Sequence, residues 1–196
     1  MKKKVTTRTT IVIVCLVVAL VGYYAFLSNR SRERRADANM TAVQSVLSRD
    51  LEKDYPPTPK EVMKYYNEIM KCFYNETCTD EEIEALGKKA RELYDAELLE
   101  NNEEEAYMVR LKADIQSYKD KKRRITSASV AASTTVEKYT VDGFDFARIR
   151  CGYNVMEGRE NRSVKTVYLL RRDDEKHWKI YGWEAEENLA PGRDEG

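Results

Sequence analysis

Residues 177–185, "HWKIYGWEA", hold the chain's only histidine, His177, and both of its tryptophans, Trp178 and Trp183. Histidine is the side chain that exchanges protons near neutral pH, so this stretch raises the question of acid–base chemistry. A base needs a partner to orient it, and none is in view beside His177. Asp145, next to the Asp142-Gly143 turn, reads as a turn or strand-edge residue. If the stretch is an alternating strand, Trp178, Ile180 and Gly182 face one side, and His177, Lys179, Tyr181 and Trp183 face the other. On that reading Trp178 and Ile180 close a core, while Trp183 either covers the opposite face or meets a ligand. No nucleophile motif, phosphate loop or paired-carboxylate pattern stands out, so no catalytic residue is assigned. One histidine and no CxxC leave no zinc-ligand spacing, and neither a metal nor a cofactor is expected.

The remaining candidates are aromatic. Among 13 tyrosines, Tyr65, Tyr66, Tyr153 and Tyr168 fall where they would line a pocket, and with Trp183 they are the candidate ligand-binding residues. Tyrosine packs its ring while keeping a polar tip, which suits a mostly apolar binding cavity. The competing expectation is that the same rings simply fill the core. Four cysteines give little more. Cys15 lies in an apolar run, and the odd number left, Cys72, Cys78 and Cys151, cannot all pair within one chain. Cys72 and Cys78 can be read as a local disulfide or as small hydrophobes.

These residues need elements to position them. In residues 36–54, Met40, Val43, Val46, Leu47 and Leu51 recur at helical spacing, predicting a stalk helix or a first helix docked on the domain. Prolines 56, 57 and 59 break the chain after it. In "TPKE", Thr58 is placed to cap, Pro59 to open the first turn and Glu61 to complete a capping box. Val62, Tyr65, Tyr66, Ile69, Met70 and Phe73 then form one apolar face. "TDEE" repeats the signal with Thr79 and Glu82, ahead of Ile83, Leu86, Ala90, Leu93 and Tyr94. A further helix over 103–123 carries Tyr107, Met108, Leu111, Ile115 and Tyr118, and its basic end suits the helix dipole. From Ile125 the period changes to two. "TSASVAASTTVEKYTV" reads as one strand, followed by Asp142-Gly143, a strong hairpin signal. Ala147, Ile149, Cys151, Tyr153 and Val155 alternate in a second strand, and Val164, Thr166, Tyr168 and Leu170 in a third. "HWKIYGWEA" is the fourth, and residues 187–196 read as a flexible tail. Helices followed by strands joined through short turns predict an α+β domain over 55–186, with helices on one face of a four-stranded antiparallel sheet.

The N-terminus has another composition. After a basic tail at 1–10, residues 11–27 contain no charged side chain, long enough for a transmembrane anchor, with Tyr23 and Tyr24 toward its interfacial end. A cleaved signal peptide competes, but no small-x-small cleavage site follows. Basic residues are balanced at four on each side of the span, so the short leading tail, rather than charge, is what places the domain outside the cytoplasm. Residues 28–54 are a basic juxtamembrane segment and stalk, whose arginines suit lipid headgroups. Residues 1–35 hold eight of the 34 Lys/Arg and one of the 34 Asp/Glu, which leaves 26 against 33 in residues 36–196. That formal charge of about −7 argues against a nucleic-acid partner.

The segments "TPKEVMKYYNEIMKCFYN" and "TDEEIEALGKKARELYDAELL" and the closing "KHWKIYGWEA" resemble the nuclear-transport-factor-2-like superfamily. The resemblance implies a curved sheet wrapped around helices as a cone. Its terminal strand would close the core with an aromatic–hydrophobic pair. The anchored arrangement looks like uncharacterised Gram-positive bacterial surface proteins, and like the inner-membrane scaffold subunits of type IV secretion systems. No functional residue carries over from either likeness. The expected function is a single-pass, extracytoplasmic binding or scaffold protein of the cell membrane. Its partners would be the bilayer through residues 11–27 and a protein partner or a second copy. The alternative is a small-ligand hydrolase or isomerase using a pocket in the cone, a reading that rests on fold analogy.

Overall fold

A computed structural model describes residues 40–189 and the single position 23. The basic tail, the expected anchor over 11–27 apart from position 23, residues 28–39 and the tail beyond 189 lie outside the described residues. Among the described residues, no helix is long and apolar enough to cross a membrane.

Among the described residues from 40 onward, five helices come first: α1 (Ala42–Ser48), α2 (Pro59–Asn75), α3 (Asp80–Arg91), α4 (Ala96–Glu100) and α5 (Glu104–Asp120). Both expected N-termini form where the sequence places them. The Thr58 hydroxyl accepts from the Glu61 N–H at 3.3 Å, with Pro59 in the first turn. Thr79 and Glu82 close a full capping box, each side chain accepting from the other residue's backbone N–H at 3.2 and 2.9 Å. At α2 the box is incomplete, because the Glu61 carboxylate accepts from the Thr58 hydroxyl instead.

Helix α1 belongs to the domain. Val43 and Val46 are buried, as is Leu51 just beyond the helix. The Tyr65 hydroxyl donates to the Val46 carbonyl at 2.7 Å. The compact unit therefore begins at Ala42, not at residue 55. Helix α4 was not expected from the sequence. After α3, the Leu93 carbonyl accepts from Ile180 N–H at 2.7 Å and Asp95 N–H donates to the Ile180 carbonyl at 2.9 Å. This short parallel bridge fixes the chain against the last strand, and the Asp95 side chain then caps α4.

The strands are β1 (Arg123–Val130), β2 (Glu137–Val141), β3 (Phe144–Glu157), β4 (Glu160–Arg172) and β5 (Trp178–Ala185). All pairings are antiparallel, in the order β1-β3-β4-β5, with β2 also paired to β3. The fold is thus α+β, with five strands rather than four. The single strand expected after Ile125 is broken, because Ser133–Thr135 turn into a 3-10 segment. There the Thr135 hydroxyl donates to the Ala132 carbonyl at 2.9 Å, the local bonding by which Ser and Thr compete with a ladder. β1 and β2 consequently lie end to end on one edge of β3, opposite 151–157 and 144–148 respectively. The Asp142-Gly143 turn has both residues at positive φ, 50° and 84°, as a two-residue hairpin of primed type requires.

Alternation along β3 buries Ala147, Ile149, Cys151 and Tyr153 toward the helices, with Tyr168 and Leu170 from β4 and Trp178 and Ile180 from β5. Helix α2 packs on β1, β3 and β5 and supplies the other half of this core. The alternation of β5 does not run through to its end. Leu170 pairs with Ile180 but Leu169 pairs with Gly182, so Tyr181 is an extra residue and the strand is bulged. The phase shifts by one after it. Trp183 therefore sits opposite Tyr168 on the helix side, not on the face of Lys179 and Tyr181 where strict alternation puts it.

Candidate functional site

The bulge gives Trp183 its role. Its ring lies 6.1 Å from that of Tyr168 and 6.1 Å from that of Tyr94. Tyr66 of α2 is 6.1 Å from Tyr94 and 5.9 Å from Tyr168, so four rings contact one another in a closed circuit. Tyr107 of α5 adds a fifth ring, edge-on to Tyr94 at 6.1 Å and 88°. All five line a cleft of about 310 Å³ between helices α2 and α5 and the end of the sheet, with Arg110 and Asp114 of α5 also in its wall. That volume is at the small end of the range for ligand cavities.

Each ring is placed by a separate element. Tyr66 lies on the α2 face with Ile69 and Phe73, all buried. The parallel bridge to Ile180 fixes Tyr94, Tyr168 is on β4, and the bulge turns Trp183 inward. Trp183 is 50 % exposed, whereas Tyr66, Tyr94 and Tyr168 are each 5 % exposed, so the circuit is closed at its base and open beside the tryptophan.

The hydroxyls are bonded to one another. Tyr66 and Tyr94 share a hydrogen bond at 3.2 Å, and Tyr153 and Tyr168 one at 3.0 Å. Tyr153 donates to Asn67 Oδ1 at 2.7 Å, which leaves Tyr168 to donate to Tyr153. Asn67 is itself buried, and its Nδ2 has no hydrogen-bond partner among the described residues. Burial pushes the hydroxyls of Tyr66, Tyr94, Tyr107, Tyr153 and Tyr168 well above the ordinary phenol range. The cleft therefore presents neutral phenols, electron-rich on their faces, and no phenolate base.

Of the five candidate ligand residues, Tyr66, Tyr168 and Trp183 line the cleft. Tyr153 lies behind it, anchoring Tyr168. Tyr65 points away, with its hydroxyl on Val46 and its ring beneath Arg49 at 4.9 Å. Tyr94, Tyr107, Arg110 and Asp114 are cleft residues that the sequence reading did not single out as site residues. The signal available for Tyr94 and Tyr107 was a tyrosine in an otherwise aliphatic stripe, which marks a core position equally well. Arg110 donates to Asn102 Oδ1 at 2.9 Å, and among the described residues neither Arg110 nor Asp114 has an ion-pair partner within 4 Å.

His177 and Asp145 lie outside the cleft. His177 stacks on Tyr55 at 4.2 Å, with Nδ1 3.4 Å from Glu175, along a broad surface groove. Asp145 accepts from the Thr140 hydroxyl at 2.9 Å across the β2–β3 hairpin. Trp178 is buried and Ile180 fully so. Cys72 and Cys78 are not bridged; the Cys78 thiol donates to the Cys72 carbonyl at 3.5 Å. Burial pushes the Cys72 thiol up to about 12 and Cys151 up to about 11, so both stay unreactive thiols at neutral pH. Among the described residues no group of His, Cys, Asp and Glu could hold a metal ion.

Residues 1–183 match the model of a family described as a domain of unknown function, DUF6715. The chain belongs to the DUF6715 family. The match runs from the N-terminal segment through the whole helical layer and ends at Trp183, so it includes every ring of the circuit. No curated protein matches this DUF6715 chain.

Proposed function

We propose that this DUF6715 protein is a single-pass membrane protein whose extracytoplasmic domain binds a small ligand in the aromatic cleft. The uncharged run at 11–27 supports the anchor, being long enough for the hydrocarbon of a bilayer. The cleft carries the binding reading. Five aromatic rings and the charged side chains of Arg110 and Asp114, which have no ion-pair partner among the described residues, converge on one cavity, the mix of apolar wall and sparse polar groups that small-molecule sites use. Helices followed by an antiparallel sheet whose last strand buries Trp178 and Ile180 support kinship with the nuclear-transport-factor-2-like superfamily. On that reading the cleft is the mouth of the cone.

The test is native mass spectrometry of the full chain released from detergent. The expected result is an extra mass that leaves on denaturation. A bare chain whose melting temperature no compound in a metabolite panel raises would overturn the binding reading.

A second feature supports the assembly side of this function. Tyr139, Val141 and Phe144 are exposed at the β2–β3 hairpin, on the sheet face away from the helices, with Tyr139 stacked on Phe146 at 5.9 Å. Such a patch suits a protein partner or a second copy near the membrane.

A further inference from the structure

The circuit of rings has a more specific chemistry than a generic apolar pocket. Successive rings are tilted by 54°, 42°, 38° and 69° around the circuit Tyr66, Tyr94, Trp183, Tyr168, so they do not form one stack. With neighbouring centroids 5.9–6.1 Å apart, a point at the centre lies within about 6 Å of every ring, the range in which a cation is held by aromatic faces. Tyrosine and tryptophan are the two ring types with the strongest attraction for cations. Asp114 in the cleft wall adds a negative charge that no ion pair claims among the described residues. A primary ammonium would lose three hydrogen bonds to water on entering such a box. A methylated ammonium, which donates few or none, would not.

Resting on the binding reading above, we propose that the cleft is a site for a small molecule or headgroup bearing a methylated, quaternary ammonium cation. The Tyr66, Tyr94, Tyr168 and Trp183 box holds its methyl groups and Asp114 faces its charge. Arg110, tethered to Asn102, supplies N–H donors for an anionic group on the same ligand, as in a betaine or a phosphocholine.

Choline and its uncharged isostere 3,3-dimethylbutan-1-ol separate this idea from simple apolar filling, since they share shape and differ in charge. Titration calorimetry on the full chain in maltoside micelles should show choline binding at least about tenfold tighter than the isostere. Trp183→Leu removes a half-exposed wall and should abolish that preference with the far-ultraviolet dichroism unchanged. Tyr94→Phe keeps the ring and loses only the hydroxyl, and should retain it. Adding dioleoylphosphatidylcholine to the micelles distinguishes sources. Suppressed choline binding would identify a lipid headgroup as the occupant, and unchanged binding a free solute. Equal binding of choline and the isostere would overturn the cation site while leaving an apolar ligand site in place. Binding of neither would also overturn it, and the mass-spectrometric test then decides separately whether the cleft binds anything.

Discussion

At the scale of single residues, one ion pair stands out for its burial. Asp95 is 3 % exposed, and its carboxylate caps α4 through the Glu97 N–H at 3.0 Å. The same carboxylate takes two N–H donors from Arg171, whose Nε–Oδ2 distance is 2.9 Å. Arg171 also donates to Glu97 at 2.6 Å and lies over the rings of Phe144 and Tyr181 at 5.2 and 4.8 Å. The pair thus joins β4 to the segment that crosses beyond β5 and holds Tyr94 in the cleft wall. Forming it required desolvating both charges, so its net contribution is smaller than its geometry suggests. Removing one partner is a different matter, because the other is then left buried and unpaired. Asp95→Ala should lower the unfolding free energy by about 3 kcal/mol in urea denaturation. A loss under about 1 kcal/mol would mean that water reaches Arg171 as readily as the carboxylate does.

At the scale of elements, helix starts were the most legible features and strand phases the least. Thr58, Pro59, Thr79 and Glu82 announce α2 and α3 because caps are local chemistry, decided by four consecutive residues. The complete box at Thr79 satisfies one more backbone donor than the partial one at Thr58. Thr79→Ala should cost about 1 kcal/mol, and Thr79→Asp only a few tenths, by urea denaturation. Equal losses for the two variants would remove the cap as the cause. The turn at Asp142-Gly143 was legible for the same local reason, since positive φ selects glycine and its neighbours. The break at Ser133–Thr135 was not, because β-branched and small polar residues suit a strand and a 3-10 turn alike. The Tyr181 bulge was not legible either, and it is decided by pairing partners on β4 rather than by β5 itself. That one residue moves Trp183 from the outer face to the cleft, so strict alternation misplaces the face of Trp183 even though Trp183 is among the candidate ligand residues. Tyr66 and Tyr168 were found by their stripes. Tyr94 and Tyr107 were seen in theirs but not as walls of a cavity, since a helical period says which face is buried and not what gap it borders.

At the scale of the molecule, the stretch between residues 36 and 54 decides where the domain begins. Read by period alone it is either a stalk or a docked helix; buried Val43, Val46 and Leu51 make its described part a piece of the core. Each of these side chains is worth about 1.5–3 kcal/mol when fully buried. The Tyr65 hydroxyl would also exchange its buried acceptor on Val46 for water. Together these exceed about 5 kcal/mol, the low end of what an ordinary domain has in total. A chain beginning at residue 55 should therefore lose cooperative unfolding or melt far below one beginning at residue 40, as followed by circular dichroism on heating. Val46→Asp within the longer chain should reproduce most of that loss, since it buries a charge at the same place. Equal melting of the two lengths would make α1 a passenger. It would also return the connection between the N-terminal segment and the domain to a free stalk. If the loss appears, α1 is structural: a pull on the N-terminal segment would load the core through Tyr65, one position along α2 from the cleft residue Tyr66.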